Sequence, residues 1–261
     1  MNVQNVKAKF KNGKEMYLFD DTSWFSKRII SSNGSYQKRN FDFVKKMKKR
    51  YKTILDIGAH VGMNTIQYSE IADKIYSFEA SPQTFSLLEK NMELYELNDK
   101  VKIFNHPLGS IDDYQVLFKI NFGEEGTNKV ITKLGKKTNK SLVVELLTKK
   151  VDTLVEQNNI KDIEFIKMDV EGYEYEVLSG MLNTLKDNNY PILQLELVDA
   201  YLKRNSSSCQ KVHDLLYNLG YKAYNYKGEE LNQTYEKIKG ISDSFFIHNT
   251  SKIHLWSWEI N

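Results

Sequence analysis

The chain has one cysteine, three prolines and no apolar run approaching the ~20 residues that span a bilayer. A lone thiol, Cys209, cannot form an internal disulfide and fits a reducing compartment. No His/Asn constellation flanks it, which argues against a thiol nucleophile. Neither a C-x-x-C pair nor an H-E-x-x-H motif occurs, so no zinc site is expected and no metal ligands are assigned. Scarce proline argues against long disordered linkers, and internal repeats and low-complexity tracts are missing. The opening stretch, M-N-V-Q-N-V-K-A-K-F, is polar and lacks the apolar segment of a signal peptide, so a cytoplasmic location is the expectation. A formal net charge of +3 is no nucleic-acid signature by itself.

What remains is a chain of 261 residues with 41% apolar side chains, enough for one α/β domain with a full core. Its organising stretch is Ile54–Thr65, I-L-D-I-G-A-H-V-G-M-N-T. Ile54, Leu55 and Ile57 make a short buried-strand pattern, Gly58 breaks it, and a helical pattern begins behind Gly62. Strand, glycine turn and helix open a mononucleotide-binding βα unit, in which the helix N-terminus suits a carboxylate or phosphate. The spacing D-x-G-x-x-x-G is not the dinucleotide fingerprint G-x-G-x-x-G, which disfavours a dehydrogenase. Asp56, at the strand end, would oppose a phosphate and welcome an ammonium. A ligand with both a carboxylate and an amine, such as the methionine part of S-adenosylmethionine, therefore fits best. Gly58, Ala59, His60, Asn64 and Thr65 are the candidate contacts around the turn.

The chain in order reads as follows. Val6–Phe19 is a candidate hairpin about a two-residue Asn12-Gly13 turn. A short helix or surface segment follows over Ser23–Ile30, and an amphipathic helix over Tyr36–Arg50. The basic run Lys45, Lys46, Lys48, Lys49, Arg50 is most simply a solvated helix end. A helix over Met63–Ile71 leads to a second strand, Ile75–Phe78. Glu79 closes that strand about 20 residues after the first, where a carboxylate reads a ribose diol. Ser81-Pro82 starts a helix with an apolar stripe of Phe85, Leu88 and Met92. Val101–Phe104 is a third strand, and the following loop places Leu108 against an adenine ring; His106 is structural. Tyr114–Leu147 breaks the alternation with short strands and turns, a β insertion that would wall the acceptor site. The block I-E-F-I-K-M-D-V-E-G-Y-E restarts the sheet, with Lys167 and Asp169 on one side of it. A helix follows through Tyr175, Leu178, Met181, Leu182 and Leu185. P-I-L-Q-L-E-L is the fifth strand, ended by Glu196. A helix over Cys209–Leu219 and two strands complete the chain. Asp56, Glu79, Asp169 and Glu196 thus end strands along one sheet edge, where they would repel one another without a cationic ligand or a lysine such as Lys167.

L-D-I-G-A-H-V-G-M-N-T, F-E-A-S-P and above all I-K-M-D-V-E-G-Y-E-Y-E-V-L-S-G resemble the FkbM-type S-adenosylmethionine-dependent methyltransferases, over about residues 36–200. The K-x-D-V-E-G-x-E block is the specific part of the match. The resemblance implies a Rossmann-like class I methyltransferase fold in the α/β class. It would have a seven-stranded, mostly parallel sheet with an antiparallel last strand, helices on both faces, a small N-terminal extension and a β insertion. Residues 1–50 would be the extension, 51–250 the methyltransferase domain and 251–261 a tail. The resemblance also implies O-methylation of a hydroxyl, often on a sugar or small metabolite, with S-adenosylhomocysteine as co-product. Two departures border the cofactor site: His60 stands where the family usually has Asn, and Ala80 where it usually has Pro.

Asp169 is the candidate base, Glu196 the second choice, and Lys167 the group that orients Asp169 or steadies the acceptor oxygen. A divalent cation held by Asp169 and Glu196 would do the same work and stays open. Trp24, Tyr114, Tyr173 and Tyr201 could stack on a sugar face. The rival readings are an RNA cap-ribose methyltransferase using the lysine-rich run, and a catalytically silent adenosyl-binding partner subunit. A nucleic-acid partner is disfavoured, and the sequence does not identify the acceptor.

Overall fold

The computed structural model describes residues 5–20, 23–132, 139–231 and 243–251. From residue 252 onward, the expected C-terminal tail lies outside the described residues. The chain starts with an antiparallel hairpin, β1 (Asn5–Lys9) and β2 (Glu15–Phe19). Five residues separate the paired Lys9 and Glu15, so the Asn12-Gly13 turn is not the two-residue type expected. The loop is closed by the Phe10 N–H donating to Lys14 O and the Gly13 N–H donating to Phe10 O. Helices α1 (Trp24–Ser31) and α2 (Lys38–Met47) follow. The Ser23 hydroxyl caps α1 by accepting from the Ser26 N–H.

The main sheet is built from β3 (Tyr51–Ile57), β4 (Ala72–Phe78), β5 (Val101–Phe104), β9 (Ile163–Met168), β10 (Ile192–Glu196), β11 (Tyr221–Tyr224) and β12 (Asp243–His248). Its order is β11-β12-β10-β9-β3-β4-β5. The strands β10, β9, β3, β4 and β5 run parallel, and β12 is antiparallel to both of its neighbours. The last strand therefore slots between β10 and β11 instead of adding to an edge. Helices α3 (Met63–Tyr68) and α4 (Pro82–Leu94) connect the first three strands. Pro82 sits in the first turn of α4 and the Ser81 hydroxyl caps it, as Ser-Pro at a helix start dictates.

Alternation along the central strands explains why both faces of the sheet are covered. Leu55, Ile166, Leu193 and Phe246 belong to one core, packed with Val177, Leu178 and Val212. Ile54, Phe165, Ile192 and Phe245 belong to the other, packed with Phe43, Val44, Leu88 and Met92. Each of these fully buried side chains contributes about 1.5–3 kcal/mol relative to exposure.

A second, three-stranded sheet forms the expected insertion: β6 (Gln115–Asn121), β7 (Lys129–Ile131) and β8 (Ser141–Leu147), in the order β7-β6-β8 and antiparallel throughout. Its own small core, Val116, Phe118, Ile120 and Val130, lies against Ala80 and Tyr173 beside the main sheet's strand ends. The N-terminal hairpin is pinned nearby. Asn91 of α4 accepts from the Tyr17 N–H and donates to Tyr17 O and Val61 O, so a buried amide acts as a strand partner for β2. Phe10, Leu18, Phe25 and Ile29 then share a core with Val61, Met63 and Leu87.

Two stretches differ from the sequence reading. Helix α5 (Val151–Gln157) fills the connection from β8 to β9. The single helix expected after Gly172 is two, α6 (Glu174–Ser179) and α7 (Leu182–Asp187). The break falls at Gly180, where a Cβ would lie 2.0 Å from Gly109 O, so the loop after β5 packs backbone to backbone against the junction. The new helix start is capped from outside: Asp152 of α5 accepts from the Thr184 N–H and hydroxyl and from the Asn183 N–H. The later helices are α8 (Asp199–Leu202) and α9 (Cys209–Asn218). Gly180→Ala should destabilise the fold by about 2 kcal/mol or more, because the obstructing atom is backbone and cannot turn away. Urea unfolding measures this, and an unchanged midpoint would contradict the packing described.

Candidate active site

The four acids expected on one edge do lie at the carboxyl ends of β3, β4, β9 and β10, yet they face different surroundings. Asp56 is fully buried beneath the glycine turn. Its Oδ2 accepts from the Thr65 hydroxyl at 2.6 Å, and that hydroxyl lies 3.0 Å from Ser77 Oγ. The pairing register sets Ser77, Asp56, Lys167 and Gln194 side by side across β4, β3, β9 and β10. A polar row thus crosses the buried sheet just below its edge. Gln194 continues it by accepting from the Tyr68 hydroxyl and donating to Asp243.

Lys167 is the positive charge in that row, with a side chain only 3% exposed. Its Nζ lies 3.3 Å from Asp169 Oδ2 and donates to Gly58 O at 3.4 Å. Burial disfavours the ammonium, but Asp169 and Asp56 outweigh burial and raise its pKa. The neighbouring acids separate sharply. Burial also disfavours ionised Asp169, yet the Lys167 charge and a hydrogen bond with Glu196 hold its carboxyl below the usual range. Burial and the Asp169 charge push Glu196 up to about 10. The pair therefore shares one proton at neutral pH, with the negative charge on Asp169 beside the lysine.

A cleft of about 500 Å³ opens over these groups. Gly58, Ala59, His60, Asn64, Glu79, Lys167, Asp169 and Glu196 border it. Asp56 and Thr65 do not; they stand behind the turn and support it. The turn approaches β9 as closely as backbone allows, since a Cβ on Gly58, whose φ is +77°, would sit 1.8 Å from Asp169 O. Glu79 clasps the turn from the next strand: Oε2 accepts from the His60 N–H at 2.9 Å and Oε1 from the Ser81 N–H at 2.8 Å. Burial raises its carboxyl to about 7. The His60 ring packs edge-on to Phe25 at 4.2 Å, and both ring nitrogens are buried without a hydrogen-bond partner. Burial holds the imidazole neutral, with its pKa lowered to about 4.

An apolar slot adjoins the cleft beyond Glu79 and Ala80, lined by Phe78, Leu108, Phe118, Val130 and Tyr173. Its far wall is the insertion sheet. Of the aromatic candidates, Trp24 and Tyr201 border the cleft and Tyr173 the slot, whereas Tyr114 borders neither and is 55% exposed. Arg28, Tyr36 and Glu171, which pattern reading did not single out, also line the cleft, and so does the loop Glu124–Asn128 of the expected insertion. Glu171 adjoins Asp169 in the D-V-E-G block, and a left-handed φ of 56° accompanies its turn toward the cleft. Burial raises its carboxyl to about 8. Asp169, Glu171 and Glu196 each bring one oxygen within 4.8 Å of the others, a set that can take a divalent cation.

A larger open groove of about 1030 Å³ lies at the opposite, amino ends of the strands, around Tyr51, Ile163 and Ile192. Ligands of open α/β sheets gather at the carboxyl ends, where the buried charges also are. Part of the basic run lies at those amino ends and is paired there, Lys48 with Glu164 and Arg50 with Asp73. Among the described residues no helix is long and apolar enough to cross a membrane.

Glu79, Glu171, Glu174 and Glu196 all have raised folded-state pKa values. Each binds its proton more tightly folded than unfolded, so stability falls as pH rises from about 4.5 through the folded values. The melting temperature of the ligand-free protein should drop by several degrees from about pH 5 to about pH 8, and Glu79→Gln should flatten part of that slope. Thermal melts across this range measure it; a flat or rising profile would contradict the assignments.

Comparison with known proteins accords with this geometry. Residues 56–223 match the family described as methyltransferase FkbM domain. The hexuronic acid methyltransferase AglP of Haloferax volcanii is 30% identical over 140 residues, 54% of this chain and 54% of that protein. Methyltransferase 1 of Beauveria bassiana is 31% identical over 147 residues, 49% of this chain and 57% of that one. The chain thus spans about half the length of the curated relatives it matches. Among solved structures, methyltransferase FkbM from Methylobacillus flagellatus covers 76% of this chain and 44% of its own, with a TM-score of 0.46 at 14% identity. With the glycine turn and the Lys167–Asp169 block both falling inside the matched span, the chain belongs to the FkbM methyltransferase family.

Proposed function

We propose that the protein is an S-adenosylmethionine-dependent O-methyltransferase acting on a sugar hydroxyl. The observation that carries this reading is the ionised Asp169, held by buried Lys167 at the floor of a cleft bounded by the glycine turn. The residues fit the cofactor. His60 offers two unpartnered ring nitrogens beside the turn, Glu79 stands where a ribose diol is read, and the slot at Leu108 is apolar on both sides, as a purine face requires. Asn64 and Ala59 border the same part of the cleft, and Ala80 borders the slot. Asp56 and Thr65 contribute indirectly, from behind the turn, with the Asp56 charge level with Lys167 in the sheet.

S-adenosylmethionine, when bound, supplies an activated methyl group for in-line displacement by the acceptor oxygen. The protein's task is to hold that oxygen in line and to remove its proton. Asp169 is a weak base because Lys167 stabilises its ionised form. A weak base suffices here: the oxygen gains positive charge as its new bond forms, and its proton becomes strongly acidic. Asp169 accepts that proton, with Glu196 already neutral beside it. Lys167 remains charged throughout and keeps Asp169 aimed. The sugar class of acceptor draws support from the hexuronic acid methyltransferase relative. Asp169, Glu171 and Glu196 would hold a divalent cation in a second arrangement, and such an ion would supply Lewis-acid activation of the acceptor hydroxyl; turnover in chelator separates the two.

The test is transfer of a labelled methyl group from S-adenosylmethionine to a glycan panel, read by mass spectrometry. Methyl incorporation at a sugar hydroxyl is expected. Asp169→Asn should lower turnover by about 10²-fold or more while leaving S-adenosylhomocysteine affinity near the parent value. Unchanged turnover in that variant would contradict its role. Glu79→Ala should instead weaken S-adenosylhomocysteine binding by about tenfold in calorimetry; unaltered affinity would mean the ribose is held elsewhere.

A further inference from the structure

The cofactor groups occupy only one side of the cleft. From the turn outward, a continuous wall of rings leads away from them. His60 meets Phe25 edge-on at 4.2 Å, and Phe25 meets Tyr36 edge-on at 5.5 Å. The Arg28 guanidinium lies 5.7 Å from the Tyr36 ring centre and 5.2 Å from that of Trp24. Trp24, Phe25, Arg28, Tyr36 and His60 all line the cleft. The inner end of the wall is close to the chemistry. Tyr36 lines the cleft together with Asp169 and Glu196, and burial, followed by the Asp169 charge, raises its hydroxyl above the ordinary range. The outer end is open: Trp24 is 59% exposed, the largest exposed fraction among the bulky apolar side chains described.

Arg28 is held by its two aromatic neighbours, and among the described residues no carboxylate lies within ion-pair distance of its guanidinium. A planar cation between rings, with no carboxylate on its donors among the described residues, is suited to bidentate recognition of an acid group. An exposed indole beside it offers an apolar face to a pyranose ring. We propose that Trp24 and Arg28 form the outer acceptor subsite and take an anionic sugar, its ring on the indole and its acid group on the guanidinium. This deepens the methyltransferase reading and rests on it.

The clustered acids Asp169, Glu171 and Glu196 stand beside Lys167, which pairs with Asp169. Glu124 and Glu125 of the insertion also border the cleft, Glu125 accepting from the Gly123 N–H through Oε1, and neither is within ion-pair distance of Arg28. The relative that methylates a hexuronic acid is consistent with a uronate, but a sugar phosphate presents the same chemistry to an arginine.

The experiment is saturation-transfer NMR on the full chain with S-adenosylhomocysteine, using methyl glucuronoside, glucose 6-phosphate and methyl glucoside as probes. At least one anionic probe should bind about tenfold more tightly than the neutral glucoside, and whichever anion binds better identifies the source of the acid group. Arg28→Ala should abolish that preference, Arg28→Lys should retain part of it, and Trp24→Ala should weaken all three probes. Calorimetry with S-adenosylhomocysteine confirms that each variant is folded. Equal binding of neutral and anionic probes, binding of none, or a preference that survives Arg28→Ala would overturn the subsite. Arg28-dependent binding without methyl transfer to any sugar would leave the subsite standing and remove the methyltransferase reading. Methyl transfer to neutral and acidic sugars alike, unaffected by Arg28→Ala, would do the reverse.

Discussion

The buried ammonium of Lys167 is the interaction on which the site depends. It sits in the middle of a parallel sheet, level with Asp56 on one neighbouring strand and Gln194 on the other, and one pleat below Asp169. Removing a lysine from water costs several kcal/mol, and so does removing each carboxylate. Part of that cost is offset within the cluster: Asp56 Oδ2 accepts from Thr65, and Lys167 is held by Asp169 and the Gly58 carbonyl, while Asp56 Oδ1 has no partner among the described residues. The cluster fixes charge at the one place where strand ends, glycine turn and cleft coincide. It also divides the acids into two kinds. Asp169 stays ionised beside the lysine, while Glu196, Glu171 and Glu79 have carboxyls raised into or beyond the neutral range. Groups with pKa values driven apart by their surroundings are what acid–base chemistry at neutral pH requires.

Much of this was legible in the sequence. The parallel strands are near-continuous apolar runs ended by acids, a pattern that only a doubly covered sheet makes sense of. Glycine punctuation located the turn, and Ser-Pro located the start of α4. The insertion announced itself by its lost helical period. The rest depends on distant residues. Nothing local says that Asp152 will cap α7 across a gap of about thirty residues, or that the loop at Gly109 needs Gly180 free of a side chain. The equal look of the four acids was likewise deceptive. Their spacing placed them on one edge, but only cross-strand register and burial show Asp56 to lie within the sheet, level with Lys167, instead of walling the cleft.

The N-terminal segment shows the same division between local pattern and distant context. Its hairpin could be read from the Asn12-Gly13 turn, and Ser23–Ile30 as a short helix or surface segment. Its role could not. Asn91, which fastens the hairpin to α4, looks in the sequence like any helix-surface amide. The hairpin that Asn91 fastens leads into α1, which lines the cleft with Trp24, Phe25 and Arg28. Elements appended to such a sheet, rather than the sheet itself, are where differences in ligand choice within a fold commonly reside.

The most direct test of the account is a carbon-detected NMR titration of the carboxyl groups in the ligand-free protein, assigned through Asp169→Asn and Glu196→Gln. The account predicts that Asp169 titrates below the ordinary aspartate range and Glu196 far above the ordinary glutamate range. Two carboxyls titrating together near pH ~4, as in unperturbed side chains, would contradict it, because Lys167 would then not be organising the rim of the sheet.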